Sequence, residues 1–363
     1  MPASSRNLSR IEKRSFSGID EIRFEHSFGN ITVTESDSGQ AELEIQYYNE
    51  VEDSASCETS IADNVLTVKT VYPKREQKQD KRIVKINFSD HTTVRVNYII
   101  AIPRNVAMKI NLKHGSIGMG DFHGDFTCDV SFGNLNAGTF FYSPVYIKGR
   151  HSSFKTGRAT VLNFSGDFST LKIDTADALN IKSKHSTYKI DRAAVLTFSG
   201  GFSTLKIGMA DTLNINSRHS TYKVGKVRTV KADCAFGNID INSAGEFTAK
   251  LAHAPVTVDN LDRKLNLDCR FSNVKIGVSS GQLESVKFSG SHSNLNLSLD
   301  PGLSADFYAN LKHGRLSIDD KYKFKYSLQE KDSNRIVKKG ILGDKTPTAK
   351  IDISGLFGNI SIK

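Results

Sequence analysis

Seven of the ten histidines in this 363-residue sequence occupy one repeated position. They begin [His/Phe]-[Ser/Gly/Ala]-x triplets that recur every 17 to 21 residues, with phenylalanine alternating with histidine. Stacked imidazoles could bind a transition metal or titrate together at about pH 6. A metal site needs three or four ligands that converge, however, and a straight ladder at the strand spacing of about 4.8 Å does not converge. We therefore predict a structural ladder, without metal or cofactor, of His114, His151, His185, His219, His253, His292, Phe132, Phe168, Phe202, Phe236 and Phe271.

A position that accepts both histidine and phenylalanine is typical of a ring that fills a corner of the fold. If these rings are buried, their nitrogen atoms need hydrogen-bond partners. The serine and threonine hydroxyls beside each ring are the expected partners.

A second repeated position carries lysine, two residues after the end of each triplet. Outward-facing lysines in register could bind an anionic polysaccharide, a lipopolysaccharide or surface phosphate. The alternative is that exposed strands carry lysine to stay soluble and unpaired. Asp174 and Asp191 follow two residues after lysines of this row and partly neutralise it. The row is the candidate binding surface and consists of Lys155, Lys172, Lys189, Lys206 and Lys223, with Lys275 further along the chain.

Carboxylates are the groups that a lyase or hydrolase acting on an acidic polysaccharide would need, clustered beside a positioned base. The aspartates of the central region are distributed by the repeat and do not gather in one non-repeating place. The sequence also lacks a P-loop, a CxxC pair and a GxSxG motif. We expect no catalysis and retain such an enzyme as the alternative. The aspartates are Asp167, Asp174, Asp177, Asp191 and Asp211.

The elements that position these residues follow from an internal repeat. Residues 151–184 and 185–218 are identical at 22 of 34 aligned positions, and each half resembles the other half. Self-similarity at a short fixed period indicates stacked supersecondary units. No segment has the 3.6-residue period of a helix, so we predict a chain that is nearly all β.

Within the repeat, apolar residues alternate as in a strand with one buried face. Leu162, Phe164, Gly166 and Phe168 are expected to share one side. After Phe168 the alternation shifts, which marks a corner where a new strand starts. Each 17-residue unit is thus two short strands and two corners of a parallel β-helix.

The length of one coil is the question that the repeat leaves open. If one coil is a single repeat unit, every histidine would lie on a phenylalanine. If one coil is two units, histidine would stack on histidine at one corner and phenylalanine on phenylalanine at the opposite corner. Because the sequence identity is stronger between units two apart, we predict 17-residue half-repeats in a flattened coil of about 34 residues.

Four cysteines in a chain of this length are not a disulfide framework. Cys234 and Cys269 occupy the same place in the repeat and could form a bridge if one coil separated them. We favour the reading in which both are small buried residues.

Composition excludes several classes of function. A net charge of +10 suggests an acidic partner, but the charge is dispersed apart from the stretch 74–82, which we interpret as a solvated loop. Basic residues are not interleaved with aromatic ones, so we expect no nucleic-acid partner. No apolar run approaches the roughly 20 residues of a transmembrane helix. The first residues contain no apolar core of a signal peptide, which leaves a cytosolic protein or a mature exported segment.

The expected organisation has four parts. Residues 1–20 are a polar lead-in, and 21–110 are an N-terminal β segment that merges into the solenoid. Regular coils occupy 111–319. Residues 320–363 contain a loop or hairpin excursion, to about residue 349, and a C-terminal strand that closes the end of the solenoid, because an uncapped coil offers an open strand edge.

Several phrases carry a resemblance to a known family. The segment 98–126, the repeated FGN, FST and HST phrases, the segment 299–318 and the ending 353–363 resemble the putative adhesin family of bacterial β-solenoid proteins. That family is known chiefly as domains of unknown function, many from Bacteroidetes-type cell envelopes. The resemblance covers roughly residues 20–363.

The resemblance implies a right-handed parallel β-helix that is exported or associated with the cell envelope, with an adhesive or scaffolding role. We therefore expect a non-catalytic rod that binds through its lateral lysine face. The expected partner is an anionic glycan or another component of the envelope surface. A domain that senses envelope stress through protein contacts is a further alternative.

Overall fold

A computed structural model of the chain describes residues 8–48, 55–72, 94–278 and 282–363. These residues form 25 strands and no helix, so none of them belongs to a helix that could cross a membrane. Successive coils pair as parallel strands, which confirms the predicted all-β solenoid. The chain divides into two compact units, Met1–Leu171 and Lys172–Lys363. The basic stretch 74–82 lies outside the described residues.

The first unit combines parallel coils with antiparallel arms. Strand β2 pairs in parallel with β5 and β6 on one edge and with β7 on the other, and β7 to β10 continue the parallel coils. Antiparallel pairing joins β1 to β3, β3 to β6 and β4 to β5, so residues 8–17 of the predicted lead-in form a strand. The strands are β1 (Leu8–Ser17), β2 (Glu21–Ser36), β3 (Gln40–Tyr48), β4 (Ser56–Ala62), β5 (Val65–Val71), β6 (Arg95–Pro103), β7 (Ala107–Met119), β8 (Phe126–Ser131), β9 (Asn134–Arg150) and β10 (Ser153–Asp167).

The second unit begins with regular coils. Strands β12 to β16 pair in parallel with their neighbours in chain order. The strands are β11 (Thr170–Lys184), β12 (Thr187–Gly201), β13 (Thr204–Arg218), β14 (Thr221–Ala235), β15 (Asn238–Ala252), β16 (Val256–Arg270), β17 (Asn273–Val278), β18 (Ser285–Ser291), β19 (Asn294–Ser298), β20 (Ala305–Lys312), β21 (Arg315–Ile318), β22 (Phe324–Lys331), β23 (Arg335–Leu342), β24 (Ala349–Leu356) and β25 (Asn359–Ile362).

One coil in this region is a single repeat unit, so the predicted coil of two units is wrong. Thr187 pairs with Thr204, and Thr204 pairs with Thr221. The stronger identity between units two apart has a packing cause. Alternate coils carry the same core residues because a large side chain lies above a smaller one, as in the series Tyr188, Leu205 and Tyr222.

The core of each coil comes from inward positions on three short runs. In β12 these positions are Tyr188 and Ile190, then Ala193, then Leu196 and Phe198, all at most 1% exposed. The alternation of buried and exposed residues breaks on either side of Ala193, where the strand bends. Burying apolar side chains at these positions is the main source of stability of the coil.

The structure confirms the prediction that Cys234 and Cys269 are small buried residues. Cys234 pairs with Leu251, and Leu251 pairs with Cys269, so two coils separate the two cysteines. All four cysteines are free and buried. Burial raises the pKa of the Cys234 thiol to about 11 and that of Cys269 to about 12, so neither is a thiolate nucleophile at neutral pH.

The C-terminal strand does not close the solenoid, which corrects the expectation from chain order. Strand β24 pairs in parallel with β18 on one edge and with β20 on the other, so the last strands insert between two earlier coils. The outer edge of β20 is covered by β23, which forms an antiparallel hairpin with β22 inside the predicted excursion. The outermost strand, β22, is largely exposed and charged, and such an edge discourages pairing with other chains.

Candidate functional site

The rings of the predicted ladder all lie at corners where the backbone is left-handed. Their φ angles fall between 50° and 60°, a region that costs a residue with a side chain about 1–2 kcal/mol. The same conformation is found at His313, which shares the repeated histidine position, and at Phe28 and Phe357 near the two ends of the chain.

The rings stack face to face, histidine on phenylalanine. In the first unit His114 lies between Phe28 and Phe132, with ring centroids 5.0 and 5.1 Å away and the planes within 9°. In the second unit the series runs from His185 to His253 and on to Phe357 with centroids 4.7 to 5.0 Å apart. Histidine therefore does not stack on histidine, and the like-on-like arrangement expected for a coil of two units is wrong.

The rings form an exposed ribbon and do not fill the corner. Phe202 is 56% exposed, and Phe168 is 55% exposed although Leu162 and Phe164 before it are buried. Phe168 thus does not share their inward side, because the left-handed φ at the corner turns its side chain outward. The corner-filling role predicted for these rings is wrong.

Buried serines fill the corner instead. Ser203 follows Phe202, and its hydroxyl donates to the carbonyl of Gly201 at 3.0 Å and accepts from the backbone N–H of Ser186 at 3.3 Å. On the next coil Ser220 makes the equivalent bonds: its hydroxyl donates to the carbonyl of Arg218 and accepts from the backbone N–H of Ser203. These serine hydroxyls therefore satisfy backbone groups at the corners, and Ser291 Oγ lies 3.2 Å from His292 Nδ1.

Stacking decides what the ladder can do chemically. Each ring inside the stack has a neighbour on both faces, so only ring edges face the solvent and a sugar or a base cannot stack on them. The nearest histidines are separated by a phenylalanine, at about 10 Å or two strand spacings. Among the described residues no group of three His, Cys, Asp or Glu side chains could hold a metal ion. We interpret the ladder as an arrangement of stacked rings that stabilises the corners.

We expect Phe202→Ala to lower the free energy of unfolding of the second unit by about 1–3 kcal/mol, since it removes two ring contacts worth about 0.5–1.5 kcal/mol each. Phe202→Gly should be less destabilising than Phe202→Ala, although it removes more side chain, because glycine adopts the left-handed conformation without strain. Urea denaturation followed by circular dichroism measures both. A glycine variant less stable than the alanine variant would show that the corner is not strained.

In the second unit the lysine row is in direct register on three consecutive coils. Lys189 pairs with Lys206, and Lys206 pairs with Lys223, and all three side chains are exposed. Their neighbours in register after Lys223 are Asp240 and Thr257, before Lys275 follows. In the first unit Lys155 is exposed and lies beside Asn136, and in the second unit Lys172 is half-buried.

The predicted aspartates are all exposed and do not form a site. Asp167 lies beside Arg150, whereas Asp191 and Asp211 lie at bends that interrupt the pairing of β12 with β13. Asp174 and Asp177 stay on the exposed side of β11.

The described residues include a carboxylate–imidazole pair that the repeat did not predict. Glu35 accepts from the backbone N–H of His123 at 2.7 Å, and its other oxygen lies 2.6 Å from His123 Nδ1. The ring of His123 stacks on Phe141 at 4.4 Å. Glu35 thereby fastens the segment around His123 to the sheet. In the sequence, the sign that His123 has a different role is that it lies outside the repeated histidine position.

No family model matches the sequence, and no curated protein matches it. Among solved structures the chain is similar to a putative cell adhesion protein from Clostridium sporogenes (10% identity, TM-score 0.19, 98% of each chain covered) and to a putative adhesin from Bacteroides fragilis (13%, 0.21, 98% of this chain and 97% of that one). It is also similar to a putative lipid binding protein from Parabacteroides distasonis (13%, 0.25, 97% and 96%).

Proposed function

We propose that the protein is a non-catalytic solenoid of the cell envelope that binds an anionic polysaccharide through Lys189, Lys206 and Lys223. The observation that carries the proposal is the direct register of the three lysines on consecutive coils. An exported location and an adhesive or scaffolding role are part of the proposal and rest on the family resemblance.

Electrostatics favours an anionic ligand at this place. Strand spacing puts the three lysine positions about 4.8 Å apart, and like charges directly opposite one another on a sheet destabilise it. In the described part of the second unit, none of the three forms a salt bridge, whereas Lys264 and Lys323 do. A polymer with closely spaced negative charges would relieve the repulsion and gain several contacts at once.

The surface beside the lysines supports binding of a polar chain. Thr187, Thr204 and Thr221 lie in register on the same face, two residues before the lysines. Their hydroxyls can donate to and accept from a sugar hydroxyl or a sulfate oxygen. The face thus alternates a row of cations with a row of hydroxyls along the coils.

Dextran sulfate, with neutral dextran as the comparison, is a suitable probe. We expect the triple variant Lys189→Gln, Lys206→Gln, Lys223→Gln to bind dextran sulfate about 10- to 100-fold more weakly, since each exposed contact contributes about 0.5–1 kcal/mol. Binding should also weaken with added salt. Biolayer interferometry on immobilised polymer measures both effects.

The control is a triple variant with the same charge change on the hairpin, Lys325→Gln, Lys331→Gln, Lys339→Gln. These lysines are exposed, and each has an apolar neighbour in register. Equal loss of binding in both triple variants would mean that net charge alone is recognised, and equal retention would remove the lysine row as the binding surface.

A further inference from the structure

A concave surface near the C-terminal coils of the second unit has the features of a ligand site. Six strands continue one sheet here, in the order β16, β18, β24, β20, β23 and β22. The turn 332–334 between β22 and β23 bounds the concavity on one side, and the end of β16 bounds it on the other. The resulting cleft has a volume of about 750 Å³.

The floor of the cleft is made of short polar side chains. Ser289 and Ser354 pair in register on β18 and β24, and Asn310 follows on β20. Ser291 lies in the next row of the same face, beside the half-exposed Leu356. Hydroxyl and amide groups can both donate and accept, which suits the hydroxyls of a sugar ring. The lining contains no aromatic residue, so a nucleobase would have no stacking partner.

Cations lie on both sides of this floor. Arg270 is in register with Ser291, and Leu356 is in register with Lys312, which in turn pairs with Arg335. Three strand spacings, about 14 Å, separate Arg270 from Lys312. Arg270, Lys312 and Arg335 are exposed and form no salt bridge among the described residues.

The cleft contains two carboxylates, Asp268 and Asp332, and neither forms a salt bridge with the three cations, which can therefore bind a ligand. Asp332 accepts from the backbone N–H groups of Asn334 and Arg335 at 2.8 and 2.6 Å, so it is used by the turn. Asn310 accepts from Arg335 Nε at 3.0 Å and orients the guanidinium towards the cleft. Asp268 remains as an acceptor for a ligand hydroxyl.

The cleft continues along the solenoid, which favours a chain-like ligand. Asp268 also lines a second concavity of about 600 Å³ on the same side of the coils β12 to β16. Its lining includes Asn214, Asn216 and Thr248, again hydroxyl and amide groups. The polar floor thus extends over successive coils.

We propose that this cleft binds an oligouronate, that is, a short oligosaccharide whose sugars carry carboxylates. Arg270 holds one carboxylate, and Lys312 with Arg335 holds another, while Ser289, Ser354 and Asn310 contact ring hydroxyls between them. Guanidinium groups pair with carboxylates through two parallel hydrogen bonds, which gives selectivity over a neutral sugar. The site is separate from the lysine row and does not depend on it.

Isothermal titration calorimetry with tetragalacturonate and tetraguluronate tests the proposal, with the neutral methyl ester of tetragalacturonate as the comparison. We expect the protein to bind at least one of the acids and not the ester. The double variant Arg270→Gln, Lys312→Gln should bind at least about tenfold more weakly. Ser354→Tyr, which fills the floor without changing charge, should weaken binding by a similar factor.

Two controls separate this cleft from other effects. Lys325→Gln with Lys331→Gln makes the same charge change outside the cleft and should leave binding of the acid unchanged. The triple lysine-row variant should also bind the acid like the unmodified protein, and the Arg270/Lys312 variant should still bind dextran sulfate.

The cleft assignment is overturned if the protein binds neither acid, if the ester binds as tightly as the acid, or if the double variant equals its control. Circular dichroism and the urea midpoint confirm that each variant is folded.

Discussion

Phe198→Ala is expected to lower the free energy of unfolding of the second unit by about 3–5 kcal/mol, the usual cost of removing a buried ring. Phe198 is fully buried and makes edge-to-face contacts with Tyr188 at 6.0 Å and with Tyr222 at 5.9 Å. Its removal leaves a cavity lined by Tyr188 of the same coil and by Tyr222, which lies two coils further on. The rigid hydrogen-bonded stack of strands cannot collapse to fill that space, which is the condition for a large cost.

The fold provides the control at the same position. Ile215 and Ala232 occupy this position on the next two coils, so the backbone accepts smaller residues there when the neighbours compensate. Phe198→Ile should therefore cost clearly less than Phe198→Ala, because it keeps most of the buried volume. Urea denaturation and hydrogen exchange of β12 to β14 measure both. Equal stability of the alanine variant and the unmodified protein would mean that the inward ring is not part of a close-packed core.

Acidification should destabilise the first unit through His26. This residue is 4% exposed, its Nδ1 lies 2.7 Å from Thr70 Oγ1, and its ring contacts Tyr98 edge to face at 4.9 Å. Burial lowers the pKa of His26 to about 4, against about 6.5 in the unfolded chain, while the Val96 backbone opposes the shift. The folded protein thus holds the imidazole neutral at a pH where the unfolded chain protonates it.

The sign of the effect follows from proton linkage. Between about pH 6.5 and pH 4 the unfolded state binds more protons than the folded state, so the free energy of unfolding falls as the pH falls through this window. The total loss is about 3 kcal/mol, and below about pH 4 this contribution no longer changes. Above about pH 6.5 both states are neutral at this position, and the stability from this source is fully present.

Hydrogen exchange of β2 and β6 across this pH range, corrected for the intrinsic exchange rate, measures the loss. His26→Gln should remove most of the pH dependence, because glutamine can bond to Thr70 and does not titrate. His313→Gln, which removes a histidine from the second unit, should leave the slope of the first unit unchanged. An unaltered slope in His26→Gln would assign the acid sensitivity to other groups.

The class of fold could be predicted from sequence because its signals are local. Alternation of apolar residues identifies strands, and breaks in the alternation identify corners. The inward positions Leu171 and Ile173 and their equivalents Leu205 and Ile207 are all buried.

The sequence also contained a sign of where the C-terminal strands insert. His292 is followed in the chain by His313, which breaks the alternation of histidine with phenylalanine. In the structure Phe357 lies between them, with ring centroids 4.8 and 4.9 Å away. Two histidines in succession therefore marked a missing ring, which a distant part of the chain supplies.

The sequence by itself determined the period, the strands, the inward residues away from the corners and the absence of an ordinary motif for catalysis. Only the tertiary structure decided the length of a coil, the outward direction of the rings, the insertion of β24 between β18 and β20 and the cleft with Arg270 and Lys312 on its two sides. The physical reason is that a repeat states which residue types one position accepts, whereas hydrogen-bond register between coils decides which positions lie on one another. A flat ring stacks on another flat ring whether it is histidine or phenylalanine, so residue type alone could not distinguish a coil of one repeat unit from a coil of two.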